Sequence, residues 1–450
     1  MSQNLSSTTP QTAWLRNVIL LIGGQFISLF GSSLVQYAIW WDLAIRSNSG
    51  VTIMWATIFG MLPQAFISIF GGAWADRFSR RLLIVSPDAV IAGITLCLAI
   101  AYATGNAQTW FVFVVLFVRS VGAGIQSPAV GAFIPEITPS QHLMRVNSLN
   151  GTLQSLLNIV APAISAVLIG RFALQSVLFV DVFTAIIGIG CILLIRVESR
   201  QEGQIASHSM TTLSPEETES STVTIDGSDQ EHQSAWADIR DGILYSFQHP
   251  TLRRMLVGFT LACLICASPT MLSSIFVNRN FAETPFDLGI VQLTSITDKL
   301  GFFELTFGIG MVVGGMVMTA WGGFKRRLAS LGIGIAGTGI ANIIMGLSAN
   351  TLMNSMWVYV ISFVLFGLLI PLMNAPTFTY IQESVPPTMQ GRVFGLVNAS
   401  ISFSMPFGML FAGPLSDFVP IEWIFIVSGI ITVVAGIWTM WPTGIDEEAN

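Results

Sequence analysis

The stretch PEITPSQHLMRV (135–146) has a second copy, QESVPPTMQGRV (382–393). In both, a Glu is followed three residues later by a Pro and nine residues later by an Arg-Val pair. Glu136 and Glu383 lie 247 positions apart, as do Pro139 and Pro386, and Arg145 and Arg392. A second basic element recurs nearby: Arg80-Arg81 in ADRFSRR and Arg326-Arg327 in GGFKRR are 246 apart. The spacing predicts two copies of one design, each about 200 residues long, joined head to tail. In so apolar a chain, duplicated halves point to a transporter that alternates about a central site.

Hydrophobic residues make up 52% of the chain and charged residues 10%, against about 25% charged in a typical soluble domain. The charges are segregated. None falls between Arg46 and Asp76, between Asp88 and Arg119, or between Arg327 and Glu383. The last gap holds two spans at about 20 residues each, turned at the polar Ser348, Asn350 and Asn354. Twelve spans are expected, near 15–44, 51–75, 82–104, 109–135, 143–170, 174–196, 252–278, 301–321, 327–348, 355–382, 389–416 and 422–441. Lipid offers no partner to a backbone N–H or C=O, so every span must be helical. The expected fold is an all-α membrane protein of two pseudo-symmetric six-helix halves, residues 1–200 and 251–450, joined by a linker over 201–250. The first span follows a polar tail without a small-residue cleavage site and is read as retained.

An even number of spans puts both termini on one side. Of the 19 Lys and Arg, 14 fall on that side, Arg46, Arg171, Arg279 and Lys299 on the other, and Arg119 inside a span. The positive-inside bias therefore places the termini in the cytoplasm of a multi-pass plasma-membrane protein.

The linker contains no Lys or Arg from Gln201 to Ile239 and is acidic and rich in Ser and Thr, a composition that stays solvated. Near its end, Ser234 suits the cap of a short helix with Trp236, Ile239, Ile243 and Phe247 on one face, lying along the membrane surface. The four His fall in loops or the linker and the four Cys in apolar spans, so neither a catalytic metal nor an enzyme is expected. No GxxxxGK[ST] occurs, so ATP hydrolysis is not expected. No cofactor is called for, and no basic stripe suggests nucleic acid.

The charged loop elements suit a gate at the cytoplasmic face. In GGAWADRFSRR, Gly71 and Gly72 allow a close helix approach, and Asp76 suits the positive N-terminus of another helix. Arg80 is within reach of Glu136, while Arg77, Arg80 and Arg81 equally serve to set topology. The second copy carries Gly322 where the first has Asp76. The expected gate comprises Gly72, Asp76, Arg77, Arg80, Arg81, Glu136, Arg145, Arg326, Arg327, Glu383 and Arg392.

GGAWADRFSRR resembles the loop motif of the major facilitator superfamily, G-x-x-x-D-R-x-x-R-R, at Gly72, Asp76, Arg77, Arg80 and Arg81. LFVRSVGAGIQSPAVGAFIPEITP (116–139) and GRVFGLVNASISFSMPFGMLFAGPLSDF (391–418) resemble the macrolide-efflux branch of its drug exporters. In the exporters' fourth-helix motif Arg and Gly are four apart, whereas Arg119 and Gly122 are three apart. Where their fifth-helix motif ends in Gly-Pro, this chain has Ala161-Pro162. The resemblance implies an antiporter moving amphipathic small molecules outward in exchange for protons, working as a monomer in the lipid bilayer.

Four charges inside spans remain. Arg119 lies near the midplane, where a cation costs about 2.5–3.5 kcal/mol and must face a polar cavity or a partner. Glu304 and Asp181 suit either proton exchange or contact with outer water, and Asp42, beside Trp40 and Trp41, either proton exchange or an interfacial anchor. Glu304, on a helix that the resemblance places at the central cavity, is favoured over Asp181, whose helix it places outside. Gln36, Gln126, Gln154, Asn158, Met311, Asn374 and Met405 are candidate substrate contacts; lone polar residues in spans also serve as helix glue. Two alternatives stay open: export of a defined metabolite such as a siderophore, and a non-transporting receptor or scaffold.

Overall fold

The computed structural model describes residues 12–195, 235–288, 292–349 and 355–441. It holds thirteen α-helices among the described residues. The first six are α1 (Thr12–Ser47), α2 (Gly50–Arg77), α3 (Arg80–Ala103), α4 (Thr109–Ile137), α5 (Leu143–Arg171) and α6 (Leu174–Leu193). A short helix, α7 (Ala235–Gln248), precedes α8 (Pro250–Phe281), α9 (Ile296–Trp321), α10 (Arg327–Leu347), α11 (Met356–Ser384), α12 (Pro387–Phe418) and α13 (Ile421–Met440). All but α7 are long and apolar enough to cross a bilayer. The twelve expected spans are these twelve helices.

The repeat is visible in the packing. Helix α2 packs on α4 as α9 packs on α11, and α3 packs on α6 as α10 packs on α13. The two halves meet along α2 against α12 and α5 against α9. These contacts concentrate at the end of the bundle opposite Arg80 and Arg327, here called the far end. A Cβ added to Gly50 would stand 2.2 Å from Gly413 O, and one on Gly301 would stand 2.1 Å from Ala166 Cβ. The Phe66 and Phe403 rings meet edge-on at 5.1 Å about midway along α2 and α12. Toward the basic end a Cβ at Gly151 of α5, Gly315 of α9, or Gly391 or Gly395 of α12 would meet nothing within 4 Å. The bundle is closed at the far end and open at the basic end.

Most helix ends fall within three residues of expectation, and two shifts move a charge across a boundary that the reading had relied on. Helix α9 begins at Ile296, five residues earlier than expected, and so takes in Lys299, which had been counted as a loop charge. Its ammonium is buried and donates to Phe281 O at 2.8 Å and Ala282 O at 3.0 Å, capping the C-terminus of α8. Helix α2 runs through Asp76 to Arg77 rather than ending before Asp76. The side chains of Gly72, Asp76 and Arg77, the proposed cap Ser234, the side chains of Trp236 and Ile239, and the turn at 350–354 lie outside the described residues.

Candidate functional site

Helix α4 carries Arg119 into a cluster drawn from four helices of the first half. Its guanidinium is 5% exposed and pairs with the fully buried Asp181 of α6. It also donates to Thr95 Oγ1 of α3 at 2.7 Å and to Ser32 O of α1 at 2.9 Å. Asp181 accepts further bonds from Ser32 Oγ at 2.8 Å and Thr95 Oγ1 at 3.1 Å. Two hydroxyls and a cation thus satisfy one carboxylate, which is the condition for burying an ion pair. Of the two readings open for Asp181, contact with outer water does not fit a fully buried carboxylate paired with Arg119.

Asp88 of α3, named only as the edge of a charge-free window, is a second buried acid. It is 3% exposed and accepts from Gln126 Nε2 at 2.9 Å and Ser28 Oγ at 3.2 Å. Gln126 also donates to Gln25 Oε1 at 3.2 Å, and Asp88 Oδ2 has no partner among the described residues. Between the two clusters lies a cavity of about 240 Å³, lined among others by Ser33, Gln36, Gln64, Arg119, Ser120 and Gln126. Ser120 Oγ accepts the backbone N–H of Gln64 at 2.9 Å, tying α4 to α2 at the wall.

Of the candidate substrate contacts, Gln36 and Gln126 line this cavity. Gln154 and Asn158 are exposed on α5, on the helix line that continues to Ser165, whose Oγ bonds Leu34 O of α1 at 2.9 Å. Met311, Asn374 and Met405 are half-buried on α9, α11 and α12, away from this cavity. Glu304 is half-buried on α9, within coulombic reach of Tyr37 of α1 and Tyr359 of α11. It makes no hydrogen bond or ion pair among the described residues. Asp42 is held at the far end by Arg46 and by Tyr102 Oη at 2.9 Å, the pattern of an anchor.

At the basic end the two copies repeat one clamp. Arg80 Nη1 lies 3.1 Å from Glu136 Oε2, and Arg327 Nη2 lies 2.8 Å from Glu383 Oε1. Both pairs are 56 residues apart. The matching arginines are therefore Arg80 and Arg327, offset by 247 like the rest of the repeat and not by 246. Each clamp stays within its own half. Arg81 donates to Leu193 O of α6, Arg392 Nη1 reaches Asp241 of α7 at 3.3 Å, and Arg145 and Arg326 are exposed.

The contact that ties the halves together was not foreseen. Asp417, in the last turn of α12, accepts Ser49 Oγ at 2.7 Å and the N–H groups of Gly50 at 2.7 Å and Val51 at 3.1 Å. It caps α2 across the interface, where the helix dipole favours an anion. Arg279, near the end of α8, donates to Asn48 O at 2.7 Å, Ser416 O at 2.5 Å and Asp417 at 3.1 Å. Asn48 has φ 47°, a left-handed turn that brings its carbonyl to Arg279.

The sequence profile of the Major Facilitator Superfamily matches residues 21–297 and 293–450. The chain belongs to this superfamily. It is a multi-pass membrane transporter and not an enzyme. Macrolide efflux protein A of Streptococcus pyogenes is 24% identical over 424 residues, 94% of this chain and 95% of that one. An uncharacterized MFS-type transporter, YkuC of Bacillus subtilis, is 24% identical over 397 residues, covering 86% of this chain and 83% of its own. Among solved structures, a bacterial homologue of the lysosomal transporter Spinster aligns with TM-score 0.63 at 13% identity, over 96% of this chain and 97% of that one. A POT family transporter in complex with a thioalcohol-conjugated peptide aligns with TM-score 0.66 at 14% identity, over 92% and 94%.

Proposed function

We propose that the chain exports amphipathic, macrolide-like small molecules in exchange for protons, as a monomer whose termini lie in the cytoplasm. Residues 1–200 and 251–450 act as two rocking halves and 201–250 as their tether. One observation carries the mechanism: the bundle is shut at the far end by Asp417 and Arg279 and open at the end that bears the Arg80 and Arg327 clamps. With the basic end inside, this is the state that collects cargo from the cytoplasm. The similarity to Macrolide efflux protein A along nearly the whole chain supports a drug as cargo. The polar cavity beside Arg119 supports a site that orients a largely apolar molecule by a few hydrogen bonds.

Proton exchange needs an acid that both sides reach in turn. Glu304 sits on α9, which helps to join the halves, in the neighbourhood of Tyr37 and Tyr359 and without a cation partner among the described residues. Asp181 is committed to Arg119 and is a weaker candidate for free exchange. The test is flux in proteoliposomes with and without an imposed pH gradient, using erythromycin as probe. Gradient-dependent uptake into inside-out vesicles is the expected result. Erythromycin flux indifferent to the gradient would remove proton exchange, and transport of a metabolite but no macrolide would replace the substrate class.

A further inference from the structure

One pair of equivalent grooves is filled in one half and open in the other. In the second half, the groove between the starts of α8 and α12 is filled by α7, which packs on both helices. Gly242 comes so near α12 that an added Cβ would stand 3.2 Å from Arg392 Cβ, and Asp241 meets the Arg392 guanidinium at 3.3 Å. Tyr245 packs against the buried cluster of Leu252, Met255 and Val393. An apolar body and one acidic group therefore occupy the groove.

The first half carries the same motif: Arg145, Val146 and Leu149 stand 247 positions before Arg392, Val393 and Leu396. Here the groove between the starts of α1 and α5 is a cavity of about 500 Å³. Its walls are Trp14, Leu15 and Ile19 on α1 and Arg145 and Leu149 on α5, with His142 stacked on Trp14 at 4.6 Å. Leu15, Ile19 and Leu149 are each close to half exposed or more. Arg145 is exposed and makes no ion pair among the described residues, whereas its counterpart Arg392 holds an aspartate.

We propose that this groove binds an acidic phospholipid of the leaflet at the basic end, with its phosphate on Arg145 and acyl carbons along Trp14, Leu15 and Leu149. The chemistry copies what α7 supplies on the other side, an anion joined to an apolar body. A groove at the end of membrane-spanning helices meets such lipids at the depth of their headgroups, where one basic residue typically strengthens binding roughly five-fold.

Native mass spectrometry of the full-length protein, equilibrated with phosphatidylglycerol or phosphatidylcholine, tests the proposal. The expected result is one phosphatidylglycerol retained in preference to phosphatidylcholine, weakened about five-fold in Arg145→Ala. Leu149→Trp, which fills the groove and keeps the charge, should lose the same lipid. Arg253→Ala, at an exposed basic residue outside the groove, should keep it. Equal retention of the two lipids, or unchanged phosphatidylglycerol in Arg145→Ala, overturns the proposal. Displacement by inorganic phosphate overturns it in favour of a free-anion site. Retention that appears only after residues 201–233 are deleted overturns it in favour of the chain's own acidic stretch.

Discussion

At the scale of single residues, the decisive group is Arg119, and the sequence exposed it because it is the lone cation in a long apolar run. Its partner was harder to read. Asp181 was on view, but linear spacing does not say which faces of α4 and α6 meet. Asp88 was overlooked for another reason: it falls within the first two turns of the span expected at 82–104, close enough to the end to pass for a boundary charge, yet α3 buries it. The buried pair makes a sharp expectation. Removing one member leaves the other charge uncompensated, at a cost of about 3–5 kcal/mol. Asp181→Asn and Arg119→Met should each sharply lower the unfolding temperature, while Arg119→Met combined with Asp181→Leu should recover much of the loss. Additive losses in the double variant would show that the pair does not act as a unit. For coupling, Glu304→Gln should still bind drug but lose transport driven by a pH gradient. Wild-type gradient dependence in that variant would transfer the role to another acid, with Asp88 the next to test.

At the scale of elements, the repeated Glu-Pro-Arg pattern predicted the arrangement of the helices because charges at span ends tolerate little drift. The basic clamps themselves contribute modestly to stability. The Arg80 and Glu136 side chains are 33% and 37% exposed, and an exposed ion pair is typically worth at most about 1 kcal/mol. Glu136→Gln or Glu383→Gln should therefore shift thermal stability only slightly; a loss several times larger would mark the clamps as structural pillars. Helix α7 was legible from its apolar spacing, but its docking onto Arg392 was not, since nothing local in sequence pairs Asp241 with a residue 151 positions away. The acidic stretch before it lacks apolar anchors, and loop closure depends only weakly on length. Shortening 201–233 by about half should leave efflux intact in cells that insert the protein normally. A transport defect at normal membrane levels would give that stretch a working role.

At the scale of the molecule, α2 and α12 carry the Asp417 latch at the far end, and we propose that Asp76 forms its complement at the other end. Helix α12 ends in Gly413-Pro-Leu-Ser-Asp417, and Asp417 caps the start of α2. Helix α2 ends in Gly72-Ala-Trp-Ala-Asp76, the same G-x-x-x-D spacing, and the start of α12 is the matching helix terminus on the basic side. Both acids cannot be engaged at once if the halves rock, because closing one end of α2 against α12 opens the other. The far-end latch escaped the sequence reading because Arg279 and Asp417 sit where loop charges are expected, and only the cross-half geometry gives them a task. The Asp417 latch joins a carboxylate to backbone N–H groups at a helix start, an interaction worth about 0.3–2 kcal/mol depending on burial, and the proposed Asp76 latch would be of the same kind. Asp417→Asn should weaken the far-end closure and move the balance toward the outward-open state, by up to roughly thirty-fold. Asp76→Asn should move it the other way, and combining the two should return it toward the starting ratio. A cysteine at Gly395, in open space when the basic end is open, reports the balance in an otherwise cysteine-free protein. Its labelling should slow in Asp417→Asn and quicken in Asp76→Asn. If both variants change labelling in the same direction, the latches do not oppose one another and the two ends of the helix pair open independently.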